Sequence, residues 1–78
     1  MIIVNLNKRN NSWVFHIMDW EEDIDAEYDS DRFTECVEWT VDQLANYPRV
    51  KRMAYDMWYF ERKREAESFK TFWALKWV

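Results

Sequence analysis

The sequence predicts an α+β domain in which a small antiparallel sheet carries two helices on one face. Three patterns indicate this fold class. Two apolar, strand-like runs flank an asparagine-rich stretch, an apolar stripe with helical spacing follows, and the aromatic segment after Pro48 changes from alternation to helical spacing. The predicted order of elements is β-β-(β)-α-β-α, where the bracketed strand is optional. A length of 78 residues suits one domain, so residues 1–78 are predicted to fold together.

The first two strands are predicted to form a hairpin. "IIVNLN" at residues 2–7 and "WVFHIMDW" at residues 13–20 are separated by "NKRNNS". Asn10 and Asn11 are expected to supply the positive φ of the turn, which glycine would otherwise provide. Both alternating faces of the second strand are largely apolar, which favours a central strand covered on both sides.

An acidic run follows from Trp20 to Asp31, "WEEDIDAEYDSD". Acids stand at every second position in it, which fits an edge strand with one acidic face and fits an extended loop equally well. The acids that would share this face are Glu21, Asp23, Asp25, Glu27, Asp29 and Asp31.

The first helix is predicted from an apolar stripe with spacings of three and four. Ser30 or Asp31 is expected to cap its amino end, and Asn46 or Tyr47 is expected to end it ahead of Pro48. The stripe consists of Phe33, Cys36, Val37, Thr40, Val41 and Leu44.

The segment "MAYDMWYFERKREAESFKTFW" changes its period without a glycine or proline to mark the change. Alternation over residues 50–60 predicts one strand, because a helix there would be apolar nearly all round. Strong helix formers and helical spacing predict a helix over residues 63–76. The charged stretch "ERKRE" is then the junction between them.

The segment from Asp56 to Trp77 combines an aromatic strand, a charged turn and a helix that carries "AESFKTFWALKW". In this it resembles the carboxyl end of small accessory proteins of tailed bacteriophages. The resemblance implies an early, host-directed protein, and it implies no particular activity.

Composition limits the classes of partner. The net charge is −4 and the pI is about 4.9, which disfavours direct binding to nucleic acid or to anionic membranes. One cysteine allows no internal disulfide, and no apolar run approaches the length of a membrane helix. We expect a soluble, cytoplasmic protein that does not bind membranes.

Catalytic chemistry finds little support in the sequence. His16 is the only histidine and is expected to be structural, while Cys36 is expected to be buried and inert. The acidic run fails as a calcium loop, because Tyr28 and Thr34 stand where glycine and glutamate are required. The chain contains no glycine, so it has no glycine-rich phosphate loop. We therefore predict no enzyme, no catalytic residues, no cofactor and no metal site.

Three functional hypotheses remain. The first is a protein–protein interaction module, an inhibitor or modulator of a larger macromolecule, with Trp20 and Trp39 as contact residues, because tryptophan is enriched at interface hot spots. The second is a nucleic-acid mimic that blocks a DNA- or RNA-binding protein. Its acids would be spaced roughly 6.5 Å apart along a strand, like successive phosphates. A solvated acidic loop is the plainer interpretation of the same residues.

The third hypothesis is a binder of single-stranded nucleic acid that uses Tyr55 and Tyr59 as a stacking platform, with basic residues at the strand ends. The plainer interpretation places those tyrosines in the core. For the partner, the sequence thus favours another protein, which itself could bind nucleic acid, and a homodimer is compatible with all three hypotheses.

Overall fold

The computed structural model describes residues 2–19 and 30–78. The described elements, in chain order, are β1 (Ile2–Arg9), β2 (Ser12–Asp19), α1 (Ser30–Leu44), β3 (Lys51–Ala54), β4 (Met57–Phe60) and α2 (Lys63–Trp77). The strands form one antiparallel sheet in the order β1-β2-β4-β3. The α+β prediction is confirmed. The optional strand in the acidic run falls at residues 20–29, outside the described residues.

The β1–β2 hairpin is present as predicted. Its strands pair from Ile2 opposite Asp19 to Arg9 opposite Ser12, which leaves a two-residue turn. Asn10 has φ of 56°, whereas Asn11 is not among the residues with positive φ, so the prediction for Asn11 is wrong. A positive φ at the first central residue alone is the pattern of a type II′ turn, which suits the twist of a hairpin.

The single strand predicted over residues 50–60 is wrong, because the chain reverses at Tyr55 and Asp56 and forms a second hairpin, β3–β4. The side chain of Arg52, on β3, hydrogen-bonds to the backbone of this turn. Its guanidinium donates to the carbonyl oxygens of Ala54 at 3.2 Å and Tyr55 at 2.7 Å. These bonds satisfy turn carbonyls without help from glycine or proline. The order of elements is therefore β-β-α-β-β-α.

Both predicted helices are present, but the two ends of α1 differ from the prediction. Ser30 and Asp31 lie within α1, so neither stands at the capping position ahead of the helix. The predicted helix over residues 63–76 is confirmed as α2. The first helix ends at Leu44, earlier than the predicted Asn46 or Tyr47, and the chain then turns before Pro48. Because α1 points its apolar stripe inward, Cys36, Val37 and Leu44 join the core.

The core lies between the helices and one face of the sheet. Phe15 of β2 is fully buried at its centre, and its ring lies 5.3 to 6.4 Å, centroid to centroid, from four other aromatic rings. Those rings belong to Trp58, Phe60, Phe69 and Trp73. Because two are on β4 and two on α2, this cluster fixes the sheet against the second helix.

The position of β2 is central, as predicted, with β1 on one side and β4 on the other. Its second face carries Val14, which is buried, and His16 and Met18, which are half-buried. His16 Nε2 lies 3.2 Å from the carboxylate of Asp56 in the β3–β4 turn. The only histidine thus has a structural contact, which ties that turn to the central strand.

Cys36 lies in the core with no exposed surface, as the sequence predicts. Burial raises the pKa of its thiol from the ordinary 9.0 to about 11. The thiolate is the form that attacks thiol reagents, so the native thiol is both inaccessible and protonated near neutral pH.

We expect Cys36 to react slowly with a thiol reagent in the native chain and quickly after denaturation. Because its pKa is higher in the folded than in the unfolded chain, its contribution to stability is present below pH 9 and lost between about pH 9 and 11. Urea unfolding across this range, compared with Cys36→Ala, measures the effect. Fast native labelling would show that the thiol is accessible.

Candidate interaction surface

The outer side of α2 carries apolar side chains that the core does not use. Phe72 is 47% exposed, Leu75 is 83% exposed and Val78, just after the helix, is 78% exposed. The inward side of the same helix is buried and consists of Ala66, Phe69, Trp73 and Trp77. The apolar residues of α2 therefore extend beyond the stripe that the core buries.

A groove of about 610 Å³ runs between α2 and the β1–β2 hairpin. Half-buried Leu6 and Trp13 belong to its sheet side, while Ala74, Leu75 and Val78 belong to its helix side. The remaining lining residues are Glu67, Lys70 and Thr71. We call Leu6, Trp13, Phe72, Leu75 and Val78 together the α2 surface.

Lysines lie around this groove. The ammonium groups of Lys8 and Lys63 lie 6.0 and 5.5 Å from the ring centroid of Trp13. Lys70 lines the groove itself, and Glu67 is the acid nearby, 3.9 Å from Lys63 across one helical turn. The groove therefore has a positively charged rim although the whole chain carries a net charge of −4.

Trp39, predicted as a contact residue, is half-buried where α1 meets α2. Its ring centroid lies 5.6 Å from that of Phe72 and 5.9 Å from that of Trp77, and Lys76 lies above its ring at 5.5 Å. Packing between the helices therefore accounts for the partial burial of the Trp39 side chain. The ring of Trp39 lies beside Phe72 of the α2 surface. Its role in partner binding stays a prediction.

The acidic residues predicted to form a ridge are only partly described. Asp31 is exposed in the first turn of α1. The other five acids, and Trp20 beside them, lie outside the described residues: Glu21, Asp23, Asp25, Glu27 and Asp29. The mimic hypothesis therefore stays a prediction.

The tyrosine platform does not exist as a single strand. Tyr59 is on β4, on the sheet face away from the helices, whereas Tyr55 is in the β3–β4 turn and 53% exposed. The guanidinium of Arg52 lies 5.4 Å from the ring centroid of Tyr55 and donates to the carbonyl oxygens of the turn. Arg52 is thus occupied within the fold.

Within residues 2–19 and 30–78, no group of three or more histidine, cysteine or acidic side chains is placed to hold a metal ion. None of the described helices has the length and apolar content to cross a bilayer.

Sequence reasoning did not single out Leu6, Trp13, Leu75 or Val78. A signal was present in the helix, since Phe72, Leu75 and Val78 recur every third residue beside the buried stripe. The contribution of Leu6 and Trp13 follows from the packing of α2 against the first hairpin. No local pattern reveals that contact.

Comparison with protein-family models, with curated proteins and with solved structures gave no match to this chain.

Proposed function

We propose that this chain is a non-enzymatic protein-binding module whose contact surface is the α2 surface. The observation that carries the proposal is the exposure of Leu75 and Val78, 83% and 78%, beside an apolar groove. Burying an aliphatic side chain of this kind contributes roughly 1.5–3 kcal/mol, so a partner that covers both gains substantial binding energy.

The surroundings of these two residues also suit an interface. Trp13 and Phe72 provide aromatic area at either side, and aromatic residues are enriched in interface cores. The lysines lie at the rim, where charge guides encounter and selects partners. The resemblance to phage accessory proteins adds the proposal that the partner is a bacterial host protein and that the chain modulates it.

The α2 surface is tested by capture from a bacterial lysate with two matched variants. Leu75→Ser removes an exposed apolar side chain from the α2 surface, and Tyr55→Ser removes one from the β3–β4 turn, remote in the fold. We expect the wild-type chain and Tyr55→Ser to retain the same protein, identified by mass spectrometry. We expect Leu75→Ser to lose it while its unfolding curve stays unchanged.

The same assay separates this proposal from the mimic hypothesis. A chain in which Asp23, Asp25, Glu27 and Asp29 are replaced by asparagine and glutamine should retain the partner if the α2 surface makes the contact. Loss of the partner in that folded chain, with normal capture by Leu75→Ser, would reject the α2 surface and favour the acidic ridge.

A further inference from the structure

We propose that the outer edge of β1, together with the α2 surface, binds an extended segment of the partner protein as an added antiparallel strand. The segment carries an acid followed, two and four positions later, by apolar residues. This inference rests on the proposed function and specifies the chemistry of the partner.

The first support is the position of β1. It is the terminal strand of the sheet, and no described strand lies beyond it. Residues 2–7 contain neither proline nor a charge, the devices by which proteins usually protect such an edge from pairing. The uncharged part of this edge, residues 2–7, can template a further strand.

The hydrogen-bonding pattern shows which residues of β1 are available. The N–H of Ile17 donates to the carbonyl of Asp56, so the odd-numbered residues of β2 bond towards β4. Its even-numbered residues therefore bond towards β1, where they pair with Ile3, Asn5 and Asn7. The backbone groups of the alternate residues point away from the sheet: Ile2, Val4, Leu6 and Lys8.

The side chains of these outward-bonding residues lie on the helix side of the sheet. Leu6 is opposite Phe15, the centre of the core, and also lines the groove. In an antiparallel pair, residues that exchange backbone bonds place their side chains on the same face. Partner residues paired with Val4 and Leu6 would thus lie on the helix side of the sheet, and the one paired with Leu6 would lie at the groove that Leu75 and Val78 line.

Charge determines which residue suits the position opposite Lys8. An antiparallel segment presents its earliest residue to Lys8, and Lys63 lies above the same tryptophan ring as Lys8. A carboxylate at this position would be attracted to both ammonium groups. Read from its amino end, the segment is acid, any residue, apolar, any residue, apolar.

A second copy of the chain fits this edge less well. Two β1 strands that pair through the same outward groups, with Val4 opposite Leu6, place Lys8 opposite Ile2. An aliphatic side chain offers the ammonium group no acceptor. Self-pairing is therefore an outcome of the test rather than the proposal.

The test uses the synthetic peptide acetyl-Thr-Glu-Thr-Val-Thr-Leu-Thr-amide, titrated into the ¹⁵N-labelled chain with amide hydrogen exchange as the readout. In the free chain, the amides of Val4 and Leu6 should exchange quickly and those of Asn5 and Asn7 slowly. The peptide should slow exchange at Val4 and Leu6 and leave Asn5 and Asn7 unchanged.

Two N-methylated peptides provide the matched control. Methylation of the valine nitrogen removes an N–H that bonds to Leu6, and we expect affinity to fall about tenfold or more. Methylation of the threonine between valine and leucine affects an N–H that points away from β1, and we expect a change within about twofold. Replacing the glutamate by lysine should also weaken binding about tenfold.

Equal effects of the two methylations, or no slowing at Val4 and Leu6, would overturn strand addition. Slow exchange at Val4 in the free chain would also overturn it, and would identify a second copy if the protection grows with protein concentration. If the peptide fails while Leu75→Ser still loses the captured protein, the proposed function stands and this inference falls.

Discussion

Phe15→Ala is expected to leave the chain largely unfolded. The side chain of Phe15 has no exposed surface, and its ring contacts four aromatic rings from β4 and α2. Truncating a buried phenylalanine costs about 3–5 kcal/mol. A single core in a domain of this size supplies about 3–5 kcal/mol in total, so the loss consumes nearly all of its stability. Far-ultraviolet circular dichroism and urea unfolding measure the result.

Phe72→Ala is the control for this prediction. Phe72 is 47% exposed, so its truncation leaves no enclosed cavity, and we expect most of the stability to remain. A folded Phe15→Ala chain with a urea midpoint close to that of the wild type would show that the core is not centred on Phe15.

Thr40→Val is expected to destabilise the fold by about 1–3 kcal/mol, although it preserves the size of the side chain. Thr40 is fully buried, and its hydroxyl donates to the carbonyl of Cys36 at 2.8 Å. The same oxygen accepts the indole N–H of Trp73 at 3.2 Å. Valine has neither a hydroxyl donor nor an acceptor oxygen. The buried indole N–H of Trp73 therefore loses its acceptor and its hydrogen bond to α1.

Thr71→Val is the matched control, because the hydroxyl of Thr71 makes the same kind of bond, to the carbonyl of Glu67 at 3.1 Å, on an exposed surface. Water replaces that bond, so we expect a change of only a few tenths of a kcal/mol. Urea unfolding of both variants provides the comparison. Equal losses would show that the bond between Trp73 and Thr40 contributes nothing beyond the change to valine.

The helices were predictable because their apolar spacing is local and specific. The stripe of α1 and that of α2 each reach the core through residues three or four apart, such as Phe69 and Trp73. The hairpin within residues 50–60 was not predicted by the same reasoning. The two short strands of a hairpin show the same alternation of side chains as one long strand. What distinguishes them is the side chain of Arg52 bonding the turn carbonyls, a contact with no sequence signature.

The candidate surface was less predictable than the fold. Trp39 was predicted as a contact residue because tryptophan is enriched at interfaces, whereas its half-buried ring packs against Phe72 and Trp77 of α2. Leu6 and Leu75 stand at opposite ends of the chain and line one groove only because α2 packs beside β1. The basic rim is equally absent from any local pattern, because Lys8 and Lys63 both lie near the ring of Trp13 only in the folded chain.

The central claim is that the α2 surface makes the contact with the partner. Isothermal titration of the captured protein with the Leu75→Ser and Tyr55→Ser chains, side by side with the wild type, tests it most directly. Loss of a central apolar contact costs about 2 kcal/mol, so we expect affinity to fall about 30-fold for Leu75→Ser. Tyr55→Ser should bind like the wild type. A large loss for Tyr55→Ser with wild-type binding by Leu75→Ser would contradict the claim.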